Sequence, residues 1–128
     1  CMVSFDRFRP VDGTPIYQQI LYYIKRECVA GTIRDGDELP SRRVLSALLG
    51  INPNTVQKAF HLLEEEALIE SRSGAKSCMT LDEDKLRRLR TELVSEDIRR
   101  ITRVLKQMAI PKEEALRLIE AWWEEDVA

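Results

Sequence analysis

Three short runs carry the side chains best suited to hydrogen-bonding base edges and phosphates. They are Arg42-Arg43, then Asn54-Thr55 with Gln57-Lys58, and last Arg72-Ser73 with Lys76. Asn and Gln can bond both edges of adenine, Thr can touch a thymine methyl or a phosphate, and Lys favours guanine or phosphate. Arg at a helix N-terminus suits a phosphate twice over, through its own fork of donors and through the helix end. Each run also has a plainer reading: an ordinary polar helix start for Asn54 to Lys58, a solvated charge for Arg42, a polar turn for Arg72 to Lys76. Other chemistry is hard to find. His61 is the only histidine and is read as having no cysteine or carboxylate at ligand spacing. Cys1, Cys28 and Cys78 form no CxxC pair, and Cys28 and Cys78 read as small apolar packing groups. Gly-rich phosphate loops and nucleophile elbows are absent, so neither an enzyme nor a cofactor or metal is expected.

The elements that must position these runs follow from caps and periodicity. A first helix starts at Thr14-Pro15, with Thr14 as cap, and carries Ile16, Ile20, Ile24 and Cys28 on one stripe until Gly31 stops it. The segment TIRDGDELP reads as a turn. Ser41 caps a short second helix whose Val44, Leu45, Leu48 and Leu49 are expected to face inward, and Gly50 ends it. Asn52 caps the third helix, with Pro53 in its first position and Val56, Ala59, Phe60 and Leu63 buried. Leu68 to Glu70 and Lys76 to Thr80 read as two strands around a turn at Ser73-Gly74. The fold class is therefore mainly α: a winged helix-turn-helix of three helices plus a two-stranded wing, over residues 10–81. In that fold the N-terminal turn of the third helix is the part that enters a major groove, which favours the reading role for Asn54, Thr55, Gln57 and Lys58. Asn52 reads as a cap.

Residues 82–128 are read as a helical hairpin. Leu86, Leu89, Leu93, Ile98, Ile101, Leu105 and Met108 step by mostly three and four residues, Ile110-Pro111 breaks the run, and Leu116, Ile119, Trp122 and Trp123 follow. So small a hairpin has little core of its own. Its stripe is expected to be covered by a second copy of the chain, with Leu89, Leu93, Ile98, Ile101, Leu105, Leu116, Ile119, Trp122 and Trp123 in the dimer contact. The tryptophans serve there, or within the hairpin, as packing groups. Glu64-Glu65-Glu66 reads as a solvated face.

Net charge is −2, which alone would speak against a nucleic-acid partner. Residues 1–80 carry ten basic and ten acidic side chains, so the balance is neutral there and the local placement of charge decides. No stretch reaches the roughly 20 apolar residues of a membrane span. The N-terminal CMVSFDRFRP lacks the layout of a signal peptide, so a cytoplasmic address is expected.

These residues resemble the GntR family of regulators. Pro15-Ile16-Tyr17-Gln18-Gln19-Ile20 fits the family's P-[IL]-Y-x-Q-I. Gly31, Ile33, Gly36, Leu39, Pro40 and Ser41 fit its G-x-[IL]-x-x-G-x-x-L-P-S. Arg43-Val44-Leu45 and INPNTVQKAFHLLEEEALI fit the helix-turn-helix, and Arg43 matches a DNA-contacting arginine of the family. The short tail and the NPNTV wording resemble the YtrA subfamily, whose two extra helices serve dimerisation. The resemblance implies a DNA-binding regulator, commonly a repressor of transporter operons, acting as a homodimer on an inverted-repeat operator; it leaves a small-molecule effector open. The wing departs from the family's R-x-G-x-G-T-F-V: Lys76 replaces the second glycine and Cys78 the aromatic. Ala67 stands where a glycine usually follows the third helix. The rival expectation is a winged-helix protein-interaction module without specific DNA binding.

Overall fold

The structure is a computed structural model that describes residues 1–72 and 76–125. Its elements in chain order are α1 Ile16–Ala30, β1 Glu38–Leu39, α2 Arg42–Leu49, α3 Pro53–Glu65, β2 Ile69–Arg72, β3 Lys76–Met79, α4 Glu83–Gln107 and α5 Lys112–Trp123. They divide into two compact units, Cys1–Arg90 and Thr91–Ala128, with α4 running through the division.

In the first unit, α1 buries Ile20, Ile24 and Cys28 on the expected stripe. Its start differs from expectation. Pro15 is the N-cap and Thr14 does not cap. Gln19 ties the preceding segment to the helix: its Nε2 donates to the carbonyls of Thr14 (2.7 Å) and Val11 (2.9 Å), and its Oε1 accepts from the Val11 N–H (2.9 Å). Burial, with Asp37 and Glu27 close by, pushes the Cys28 thiol up to about 12. It therefore stays protonated and packs as an apolar group.

Ser41 Oγ accepts from the Val44 N–H at 3.1 Å and Asn52 Oδ1 from the Asn54 N–H at 2.8 Å, so both caps of the helix-turn-helix stand as expected. The inward face of α2 does not. Leu45 is fully buried, whereas Val44 and Leu48 are 56% and 64% exposed. Residues 44/48 and 45/49 have the same four-residue spacing, so periodicity alone cannot choose between the stripes. Ser46 chooses: its hydroxyl donates to the Ile51 carbonyl at 2.5 Å and fixes the roll of the helix.

The sheet has three antiparallel strands in the order β1-β3-β2, one more than the expected wing. Glu38 pairs with Cys78, Ser71 with Ser77 and Arg72 with Lys76. Residues 1–9 also belong to the unit. Val3, Phe5 and Phe8 are buried, Phe5 stacks on Tyr23 at 5.2 Å, and the Val3 N–H donates to the Glu38 carbonyl. At the other end Leu81 and Leu89 join the same core. The unit is thus wider on both sides than residues 10–81, and Leu89 is corrected from a dimer contact to a core residue. Leu93, in the second unit, is also buried in the single chain.

The end of α3 is pinned from three directions. Ala67 adopts φ 59, the left-handed position that the family fills with glycine. The Ala67 and Leu68 N–H groups donate back to the Glu64 and Leu63 carbonyls, each at 2.9 Å. Lys85 Nζ donates to the Ala67 carbonyl at 2.7 Å and to that of Thr80 at 3.1 Å. The triple-glutamate run is exposed, as expected of a solvated face, yet two of its members are paired. Glu66 pairs at 2.8 Å with Lys25, a buried cation on α1, and Glu65 pairs at 2.9 Å with His61. His61 thus has a carboxylate one helical turn away, contrary to the sequence reading, but the described residues hold no cluster that could bind a metal.

The second unit is the remainder of α4 with α5, joined by a turn in which Ala109 also adopts a left-handed φ, 57. Pro111 is the N-cap of α5. Ile98, Ile101, Leu116, Ile119, Trp122 and Trp123 are all exposed in the single chain, and Leu105 is half-buried. The tryptophans are therefore not packed within the hairpin. No helix among the described residues is long and apolar enough to cross a membrane.

Candidate nucleic-acid interface

The two caps bring the N-termini of α2 and α3 to the same side of the first unit. Between them lies a groove of about 820 Å³. Ser41, Arg42 and Arg43 line it from α2, Asn54 and Gln57 from α3, and the cross-strand pair Ser71 and Ser77 from the sheet. Two helix N-termini converge there with the guanidinium groups of Arg42 and Arg43. Partial positive charge from the helix ends adds to the full charges of the arginines, and the place suits an anion.

The candidate readers do not all sit alike. Asn54 and Gln57 line the groove, and Arg42 Nη1 donates to Gln57 Oε1 at 2.5 Å. Arg43 is exposed, with no hydrogen-bond or ion-pair partner among the described residues. Lys58 points to the flank, its Nζ 4.0 Å from the centre of the Tyr17 ring, which gives that tyrosine a role the sequence did not. Thr55 is half-buried in the first turn of α3 and does not line the groove.

The wing holds its cations differently. Arg72 Nη2 lies 3.2 Å from Glu70 Oε1 on the same strand, and Lys76 Nζ lies 3.9 Å from Glu38 Oε2 on β1. Both are matched by a carboxylate of the chain itself. Ser73, and the turn expected at Gly74, lie outside the described residues.

Sequence reasoning missed Glu64, Ser71 and Ser77 at the groove. Glu64 falls two helical turns after Gln57, so helical spacing could have found it. The two serines could be placed only by the register of the hairpin. Glu64 brings a carboxylate to the far end of the groove, where it repels phosphate and can accept from a cytosine amine.

Residues 16–76 match the bacterial regulatory proteins of the gntR family. The chain is 37% identical to the HTH-type transcriptional repressor YtrA of Bacillus subtilis (strain 168), over 85% of this chain and 77% of that protein. Among solved structures it is similar to a GntR family transcriptional regulator from Listeria monocytogenes, with a TM-score of 0.79 and 31% identity over 88% of this chain and 98% of that one. It is also similar to YtrA from Sulfolobus acidocaldarius, a GntR-family transcription factor, with a TM-score of 0.57 and 29% identity over 77% and 99% of the two chains. These relatives are transcription regulators and not enzymes. A winged helix-turn-helix, a groove between two capped helix N-termini, and likeness that runs through the C-terminal helices lead to one statement: the chain belongs to the GntR family of DNA-binding transcriptional regulators.

Proposed function

We propose that this protein is a cytoplasmic, sequence-specific repressor that binds an inverted-repeat operator as a homodimer, with α3 of each copy in a major groove. The observation that carries the DNA-binding part is the groove where the starts of α2 and α3 meet, with Arg42, Arg43, Asn54 and Gln57 on its rim. Support for the dimer comes from the apolar side chains the hairpin exposes, Ile98, Ile101, Leu116, Ile119, Trp122 and Trp123. A surface of that kind is an interaction site more often than bare solvent-facing protein. Two-fold symmetry then sets the half-sites about 34 Å apart along the duplex. Repression rests on the likeness to the B. subtilis repressor, and a transporter operon as target on the resemblance to the YtrA subfamily alone.

Fluorescence anisotropy with the duplex upstream of the protein's own operon, at two salt concentrations, tests the first part. Tight binding that exceeds binding to scrambled duplex at both concentrations is expected; equal binding to both duplexes refutes specificity. Sedimentation tests the second. The wild type should run as a dimer, and a chain carrying Ile101→Glu and Ile119→Glu as a monomer, because buried carboxylates lack partners in an apolar contact. A double variant that stays dimeric removes the hairpin from the interface.

The protein-interaction reading draws on one observation, the carboxylate-matched wing. It requires Arg43→Ala to leave partner capture intact while specific duplex binding is absent in the wild type.

A further inference from the structure

The hydrogen bond from Arg42 to Gln57 joins the first residue of α2 to the reading face of α3, fifteen positions apart. It settles which way the Gln57 amide faces. A guanidinium has only donors, so the atom opposite it must be the amide oxygen. The Nε2 amine is then the end left for another partner. An unattached glutamine reads adenine with both ends at once, its oxygen accepting from N6 and its amine donating to N7. Here one of the oxygen's two lone pairs is engaged, and the oxygen sits beside a full positive charge. Adenine would bring the N6 amine, a further donor with partially positive hydrogens, to that place. Guanine instead offers O6 and N7, two acceptors, to the donors that Gln57 and Arg42 both present.

We propose that Arg42 is the positioning residue for Gln57, and that the pair selects guanine over adenine at the base pair Gln57 faces. This rests on the DNA-binding reading above and narrows it. Arg42 thereby differs from its neighbour Arg43, whose guanidinium has no partner among the described residues and suits a phosphate.

The experiment is selection from a random-sequence duplex library with the full chain. It compares wild type with Gln57→Ala, Arg42→Ala, Arg42→Lys and Arg43→Ala. Arg42 and Gln57 are exposed, so none of these substitutions opens the core. Wild type should enrich guanine at one position per half-site, and Gln57→Ala should erase the preference there alone. Arg42→Ala should move that same position toward adenine, because the freed amide regains both ends, by about tenfold in relative affinity. Arg42→Lys keeps a donor and a charge and should retain guanine. Arg43→Ala should weaken binding to every sequence alike and leave the motif unchanged.

If Arg42→Ala lowers binding uniformly with the motif intact, Arg42 is a phosphate anchor and the inference is overturned. A motif indifferent to Gln57→Ala, or adenine at the Gln57 position in wild type, overturns it as well. These outcomes spare the regulator reading. A wild type that enriches no motif sinks that reading, and the inference falls with it.

Discussion

The rim of the groove and the wing contain the same kinds of residue and hold them in opposite states. At the rim, Arg42 is bonded to a neutral amide and Arg43 to nothing among the described residues. In the wing, Arg72 and Lys76 each face a glutamate. Counting basic residues would rank the two regions equal. What separates them is whether a cation arrives at DNA already matched. A matched cation must give up its carboxylate before it gains a phosphate, and the carboxylate then repels that phosphate. The comparison predicts that affinity and salt dependence come from the helix-turn-helix, with the wing close to neutral.

Arg43→Ala gives the largest effect and is the direct way to break the contrast. Losing an unmatched guanidinium beside a helix N-terminus should weaken operator binding about tenfold. It should also reduce the slope of log affinity against log salt by about 1. Anisotropy titrations over a range of salt concentrations read both. If affinity is unchanged, the rim does not meet phosphate and the comparison loses its stronger half.

Smaller, and opposite in sign, is the effect of neutralising the wing's own carboxylates. Glu38→Gln with Glu70→Gln should tighten binding about threefold, since each exposed pair is worth little but leaves a cation free once broken. The salt slope should steepen by up to about 0.9 for each phosphate newly met. The same titrations check it. Weaker binding in this variant would mean that the glutamates accept from the DNA instead of holding the wing back.

Much of the scaffold behind this contrast was legible because its determinants are local. Ser41 and Asn52 cap helices whose bonded N–H groups lie two or three residues away, and Gly31 and Gly50 take the left-handed turns that end α1 and α2. What was not legible depended on partners far along the chain. Phe5 and Phe8 pack on Tyr23, and Glu38 reaches Lys76 only because β1 pairs with β3. The exposed stripe of α2 could not be told from the buried one without Ser46 and its carbonyl partner. Leu89 looked like part of one continuous stripe, since spacing along a 25-residue helix does not mark where one core stops. The candidate DNA-contact residues were readable by type. Which of them the fold pairs with a carboxylate was not, because Glu38 and Glu70 carry no sequence mark of where they will point.

One residue stands between the two regions and lets their independence be tested with almost no effect on binding. Ala67 links α3 to β2 in a left-handed conformation that costs an L-residue about 1–2 kcal/mol. Glycine removes that cost but adds about 0.5–1 kcal/mol of chain entropy to be lost on folding. Ala67→Gly should therefore stabilise the protein by about 0.5–1 kcal/mol and raise its thermal midpoint by a few degrees. The back-donated N–H bonds and the Lys85 contact involve only main-chain atoms of residue 67, so the substitution leaves the path from helix to wing in place. Operator affinity should stay within twofold of wild type. Ala109→Gly repeats the experiment in the second unit, at the turn between α4 and α5, where the similar φ should give a similar gain. If Ala67→Gly alters affinity while Ala109→Gly does not, the strained alanine sets the angle of the wing against α3. The wing would then act on DNA through its position, and its matched charges would no longer be the reason it contributes little.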